Sequence, residues 1–131
     1  MKQLLLISSL IFSLFSFSQT QSEMNYEAHL KYVKTDKELN RVYKAILNEY
    51  KSETQFIERL RKTQRIWISF RDAELEMRFP EKDKGYHYGS VYPMCVSLIL
   101  KEMTEERIKK LQVWLEGIEE GEVCLGSIKM K

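Results

Sequence analysis

Gln64-Arg65-Ile66-Trp67-Ile68-Ser69-Phe70-Arg71-Asp72-Ala73-Glu74 is the stretch from which the fold can be read. It contains neither glycine nor proline, and Gln64, Trp67, Phe70, Arg71, Glu74 and then Leu75 recur at steps of three and four. That spacing puts them on one face of a helix. The face is half apolar and half polar. Either it buries a paired polar network or it carries a site.

Working outward, the flanks mark where this helix stops. Ser52 and Gln55 have the spacing of a capping box, and Phe79-Pro80 closes the segment, because a residue before proline avoids the helical region. A helix from about Glu53 to about Arg78 follows, with Phe56, Leu60, Trp67, Phe70 and Met77 as its apolar stripe. Upstream, Leu39, Val42, Tyr43, Ile46, Leu47 and Tyr50 form a second stripe. Thr35 to Glu38 could cap a fresh helix there, but no glycine or proline interrupts the run, which favours one long helix. Downstream, Pro93 is well placed at a first helical position, and Val96, Ile99, Leu100, Met103, Ile108, Leu111, Trp114, Leu115 and Ile118 carry the third stripe. Three amphipathic helices, none stable alone, predict an all-α, three-helix antiparallel bundle.

The chain has 131 residues, enough for one domain. Residues 1–18 read as a signal peptide: Lys2, an apolar run from Leu4 to Phe17, then small residues at Ser16 and Ser18 before a cut after Ser18. The run is shorter than the ~20 residues a bilayer core needs, so no stable membrane anchor is expected after cleavage. Residues 19–23 are polar and expected to be a loose lead-in, 24–120 the domain and 121–131 a tail. Removing Lys2 lowers the formal charge from +2 to +1, which argues against nucleic-acid binding, since that requires a strong positive field. The expected location is exported, periplasmic or secreted, where a Cys95–Cys124 disulfide is chemically permitted; the alternative is a buried thiol at Cys95 and an exposed one at Cys124.

Catalysis finds little support. His29 and His87 have no Cys/His cluster or metal-site spacing around them, and no serine or cysteine nucleophile comes with a recognisable histidine and acid. No glycine-rich phosphate loop is present, so no catalytic residue, metal or cofactor is expected. Two candidate sets remain. Asp36, Asn40, Gln64, Arg71, Glu74 and Arg107 can form a buried polar network that sets helix register, with Asp36, Glu74 and Glu38 as partners for the Arg71 guanidinium. Tyr43, Trp67 and Phe70 are expected as core anchors beside it. The second set is the loop between Pro80 and Pro93, where Tyr86, His87, Tyr88, Ser90 and Tyr92 either cover the end of the bundle or form a contact surface.

Three blocks carry a resemblance. The first is Met24-Asn25, Tyr32 and Asp36-Lys37-Glu38-Leu39-Asn40-Arg41-Val42-Tyr43. The second is Leu60, Gln64, Trp67, Phe70, Arg71, Asp72, Ala73 and Glu74. The third is Gly89-Ser90, Tyr92-Pro93-Met94, Glu102, Thr104, Arg107 and Leu111. In order and spacing the chain resembles the bacterial lysozyme-inhibitor LprI-like domain family, small exported helical domains. The resemblance implies binding to a lysozyme and blocking it by steric occlusion of the cleft. A non-inhibitory envelope module that binds another exported protein is the alternative. Where members of that family often have cysteine, this chain has Glu27, Leu75 and Ile99, and the last two suggest an apolar contact in place of a disulfide.

Overall fold

The computed structural model describes residues 20–131 in full and, of residues 2–19, only their place in the first helix. The expected signal peptide and its cleavage point lie outside the fully described residues. Four helices follow in order: α1 (Lys2–Glu49), α2 (Thr54–Arg78), α3 (Lys84–Tyr88) and α4 (Tyr92–Glu116). Among the described residues there is no strand, and no helix is long and apolar enough to cross a membrane.

The long helix is continuous through Thr35. Its hydroxyl donates back to the Lys31 carbonyl at 3.1 Å, and the Asn40 amide does the same to the Asp36 carbonyl at 2.9 Å, so neither side chain caps a new start. Residues 20–23 are helical too, rather than a loose lead-in. At α2 the residue before the helix is Glu53, which makes no side-chain capping bond, so the Ser52–Gln55 capping box does not form. Its far end is as expected: Phe79 N–H donates to Leu75 O at 2.9 Å, and Pro80 stops the helix.

α1 and α4 run the same way. Asn25 meets Ser90 at one end and Tyr50 meets Trp114 at the other, while α2 returns antiparallel beside the pair. The closest pairing is α1 with α4. Small residues are buried on both, Ala28 on α1 and Ser97 and Thr104 on α4, and small side chains allow helix axes to approach. α2 meets the pair through larger groups, and of its 25 residues only Leu60 is fully buried. The core is Leu39, Val42, Ile46 and Tyr50 from α1, Leu60 from α2, and Ile108 and Leu111 from α4.

Tyr43 and Trp67 are half-buried against that core. Phe70 is not the anchor the sequence suggested; it is 54% exposed. Three residues advance a helix by roughly 300°, so Phe70 is turned about 60° from the inward line of Phe56, Leu60 and Trp67. Leu75 and Ile99 are both half-buried.

The tail also differs from expectation. Cys95 and Cys124 are free, Cys95 half-buried and Cys124 exposed. Residues after α4 are held by backbone pairing instead. Ile118 N–H donates to Lys129 O at 2.9 Å and Lys131 N–H to Ile118 O at 3.0 Å, giving a parallel bridge between Ile118 and Met130. Lys129 Nζ then pairs with Glu49 at 2.5 Å, tying the tail to the end of α1. The turn needs Gly117: its φ is +81°, and a Cβ there would lie 2.8 Å from Lys129 O.

Candidate functional site

The loop expected between α2 and α4 holds α3 and is organised from three directions. Asp83 caps the short helix by accepting from Tyr86 N–H at 3.0 Å, and Gly89, at φ +72°, ends it with a bond to Gly85 O at 3.0 Å. Behind it, Phe79 meets Tyr88 and Tyr92 edge-on, each at 5.1 Å between ring centroids, and Tyr88 stacks on Tyr92 at 5.8 Å. The Tyr88 hydroxyl accepts from Glu81 N–H at 3.2 Å, and Lys84 Nζ donates to the Phe79 carbonyl. From the side, Asn25 of α1 donates to Ser90 O at 2.9 Å, and the Asn25 carbonyl oxygen accepts from Gln21 at 3.0 Å.

The five loop residues therefore divide. Tyr88 and Tyr92 are half-buried in the aromatic cluster, and the Ser90 carbonyl is held by Asn25. Tyr86 is 82% exposed, edge-on to His87 at 5.1 Å. His87 is exposed, with Nε2 3.8 Å from a Glu81 carboxylate oxygen. A phenol and an imidazole presented on a fixed turn can donate and accept hydrogen bonds and bury apolar area. Exposed on an ordered turn, these groups suit recognition.

The polar set is not one connected network. It separates into Asn40 with Asp36 at 3.2 Å on α1, Arg107 Nε with Gln64 Oε1 at 3.0 Å between α4 and α2, and Arg71 with Asp72 at 2.7 Å within α2. Arg71 thus bonds to its neighbour rather than to Asp36, Glu38 or Glu74, and Glu74 is half-buried outside these bonds. The guanidinium carbons of Arg71 and Arg107 lie 5.5 and 5.9 Å from the Trp67 ring centroid, within reach of a cation–π interaction. Burial lowers the Arg107 guanidinium pKa. Burial raises the Tyr32 phenol on α1, with Arg71 opposing and Asp36 and Asp72 adding to the rise. A cavity of about 110 Å³ lies beside Trp67, bounded by Phe70, Met103, Glu106, Arg107 and Lys110.

A broader depression of about 570 Å³ lies at the other end, between Ser52–Phe56, Arg59, Trp114 and Ser127. Its aromatic floor is already engaged: Phe56 packs on Trp114 at 4.7 Å and on Tyr50 at 4.5 Å. No group of three or more His, Cys, Asp or Glu side chains among the described residues could hold a metal ion.

Sequence reasoning placed Glu81 and Asp83 inside the loop without giving them a role, and did not connect Asn25 to it. Asp83 had a local signal, an acid three residues ahead of the N–H it caps. Asn25 had none, since its partner is 65 positions away.

Comparison with known proteins bears on the whole assembly. An uncharacterized protein of Rhizobium meliloti (strain 1021), R02472, is 31% identical over 111 residues, covering 76% of this chain and 77% of its own. No solved structure matches. The family model described as lysozyme inhibitor LprI matches residues 16–111, which takes in α2, the aromatic turn and most of α4. The chain belongs to the lysozyme inhibitor LprI family.

Proposed function

We propose that this chain is an exported binding domain that slows a lysozyme by seating the Lys84–Tyr88 turn in the enzyme's sugar-binding cleft. The observation that carries the reading is Tyr86, exposed on a turn that Asp83, Asn25 and the Phe79–Tyr88–Tyr92 cluster hold in place. A pre-ordered aromatic loses little conformational entropy on docking, and tyrosine is among the residues that dominate binding energy. Tyr86 supplies buried area, and its hydroxyl with His87 supplies hydrogen-bonding groups for the enzyme's catalytic carboxylates. The family description supports an inhibitor rather than an enzyme.

A second reading rests on charge. Without the leader the formal charge is +1, which gives no long-range attraction to a basic lysozyme. On this reading the same turn binds a different exported protein, without inhibition.

A cell-wall lysis assay with the purified protein separates the two. Slowing of lysis is the expected result. No slowing at a large molar excess removes the inhibitor reading for that lysozyme, and retention of another protein from a periplasmic extract then favours the second.

A further inference from the structure

The outer face of α2 carries a second periodic stripe that the fold does not use. Arg59, Thr63, Ile66, Phe70, Ala73 and Met77 follow one another at steps of four, three, four, three and four. This is the spacing of a coiled-coil seam. All six are exposed, with Ile66 at 59% and Met77 at 70%. The inward face is distinct, built on Phe56, Leu60 and Trp67.

We propose that this seam pairs with the same seam of a second copy, antiparallel, to form a two-fold dimer. The register follows from self-complementarity. Placing Ile66 against the partner copy's equivalent of Phe70 also sets Thr63 opposite Ala73, and Arg59 opposite Met77. Each contact is made twice, as a two-fold interface requires. The bulky pair falls at the centre, and the aliphatic stem of Arg59 covers Met77 at each end.

Charge fits the same register. In an antiparallel pair, residues flanking the seam on one side meet their counterparts on that side. On the solvent flank those are Lys62, Ser69 and Glu76, all exposed. Lys62 of one copy then faces Glu76 of the other, and Ser69 lies near the axis. The opposite flank, Leu60, Trp67 and Glu74, turns toward the domain's own interior and stays out of the contact. A parallel pairing would instead set Lys62, Ser69 and Glu76 against the partner copy's flank of Leu60, Trp67 and Glu74, which is turned into its own domain, and would lose this charge match.

Sedimentation equilibrium on the full chain tests this, in reducing buffer so that Cys95 and Cys124 do not link copies. A reversible dimer is expected. Phe70→Glu should raise its dissociation constant ~100-fold by placing a charge at the apolar centre. Lys62→Glu and Glu76→Lys should each raise it ~10-fold, and the double exchange should restore it. Thermal melts of these surface variants at high dilution verify that the monomer fold is intact. A chain that stays monomeric into the millimolar range, its face left to a different protein, overturns the proposal. So does a dimer indifferent to Phe70→Glu, or single charge reversals that the double exchange does not repair.

Discussion

The Asn25 amide of α1 donates to the Ser90 carbonyl at 2.9 Å, joining the first fully described turns of the chain to the turn that precedes α4. The bond spans 65 positions and holds the aromatic turn from the side. Asn25→Ala should therefore reduce global stability by only about 1 kcal/mol, the usual net value of such a bond. Its larger effect should be local: faster hydrogen exchange at the amides of residues 84–90, with α4 beyond Val96 unchanged.

Trp67 and Phe70 are one turn apart and belong to different surfaces. Trp67→Ala removes a half-buried ring and its contacts with two flanking cations, and should cost about 2–3 kcal/mol, less than a fully buried tryptophan. Phe70→Ala should cost under about 1 kcal/mol when measured at high dilution. Denaturant unfolding of the two variants under identical conditions makes the comparison.

These two residues also show what the sequence could and could not reveal. Helical spacing identifies a face about 100° wide or more, and Trp67 and Phe70 both fall within it. Only the position of the neighbouring helices decides which ring points inward. The end of α2 and the start of α4 were legible because Pro80 and Pro93 are local punctuation. α3 was not, since five residues containing Gly85 and two tyrosines carry no periodic signal. The tail was hidden for a related reason. Its bonds to Ile118 are between backbone groups, which leave no trace in side-chain pattern, and the free cysteines drew attention to a bridge that is not there. The polar motif was not legible: the expected buried network is three separate pairs, none of its six residues is fully buried, and Asn40 is exposed.

Tyr50 donates to the Trp114 carbonyl at 2.8 Å inside the aromatic end of the core. Burial, with Glu49 adding, raises its phenol above the ordinary value of 10.0. The folded state thus holds this proton more tightly than the unfolded chain does. The resulting stability is fully present below pH 10 and is lost as pH rises through the raised folded value. Tyr50→Phe should cost about 1 kcal/mol near neutrality and flatten that alkaline decline. Urea unfolding at neutral pH and above pH 10 reads both effects.

Gly117 should tolerate no side chain. Gly117→Ala forces alanine into an extended, positive-φ conformation (φ 81°, ψ 175°) at roughly 1–3 kcal/mol and drives a Cβ into the Lys129 carbonyl. The tail should detach while the helices persist. Limited proteolysis is expected to cut between residues 118 and 131 faster than in the unaltered chain, with circular dichroism nearly unchanged.

The central claim is that Tyr86 makes the contact that blocks a lysozyme. The most direct measurement is a cell-wall lysis assay comparing the unaltered protein with Tyr86→Ser across a range of molar ratios. The exposure of Tyr86 means the substitution leaves the melting temperature unchanged. The unaltered protein should slow lysis, and Tyr86→Ser should need at least ~10-fold more protein for the same slowing. Equal slowing by both proteins, or none by the unaltered protein at a large molar excess, would contradict the claim.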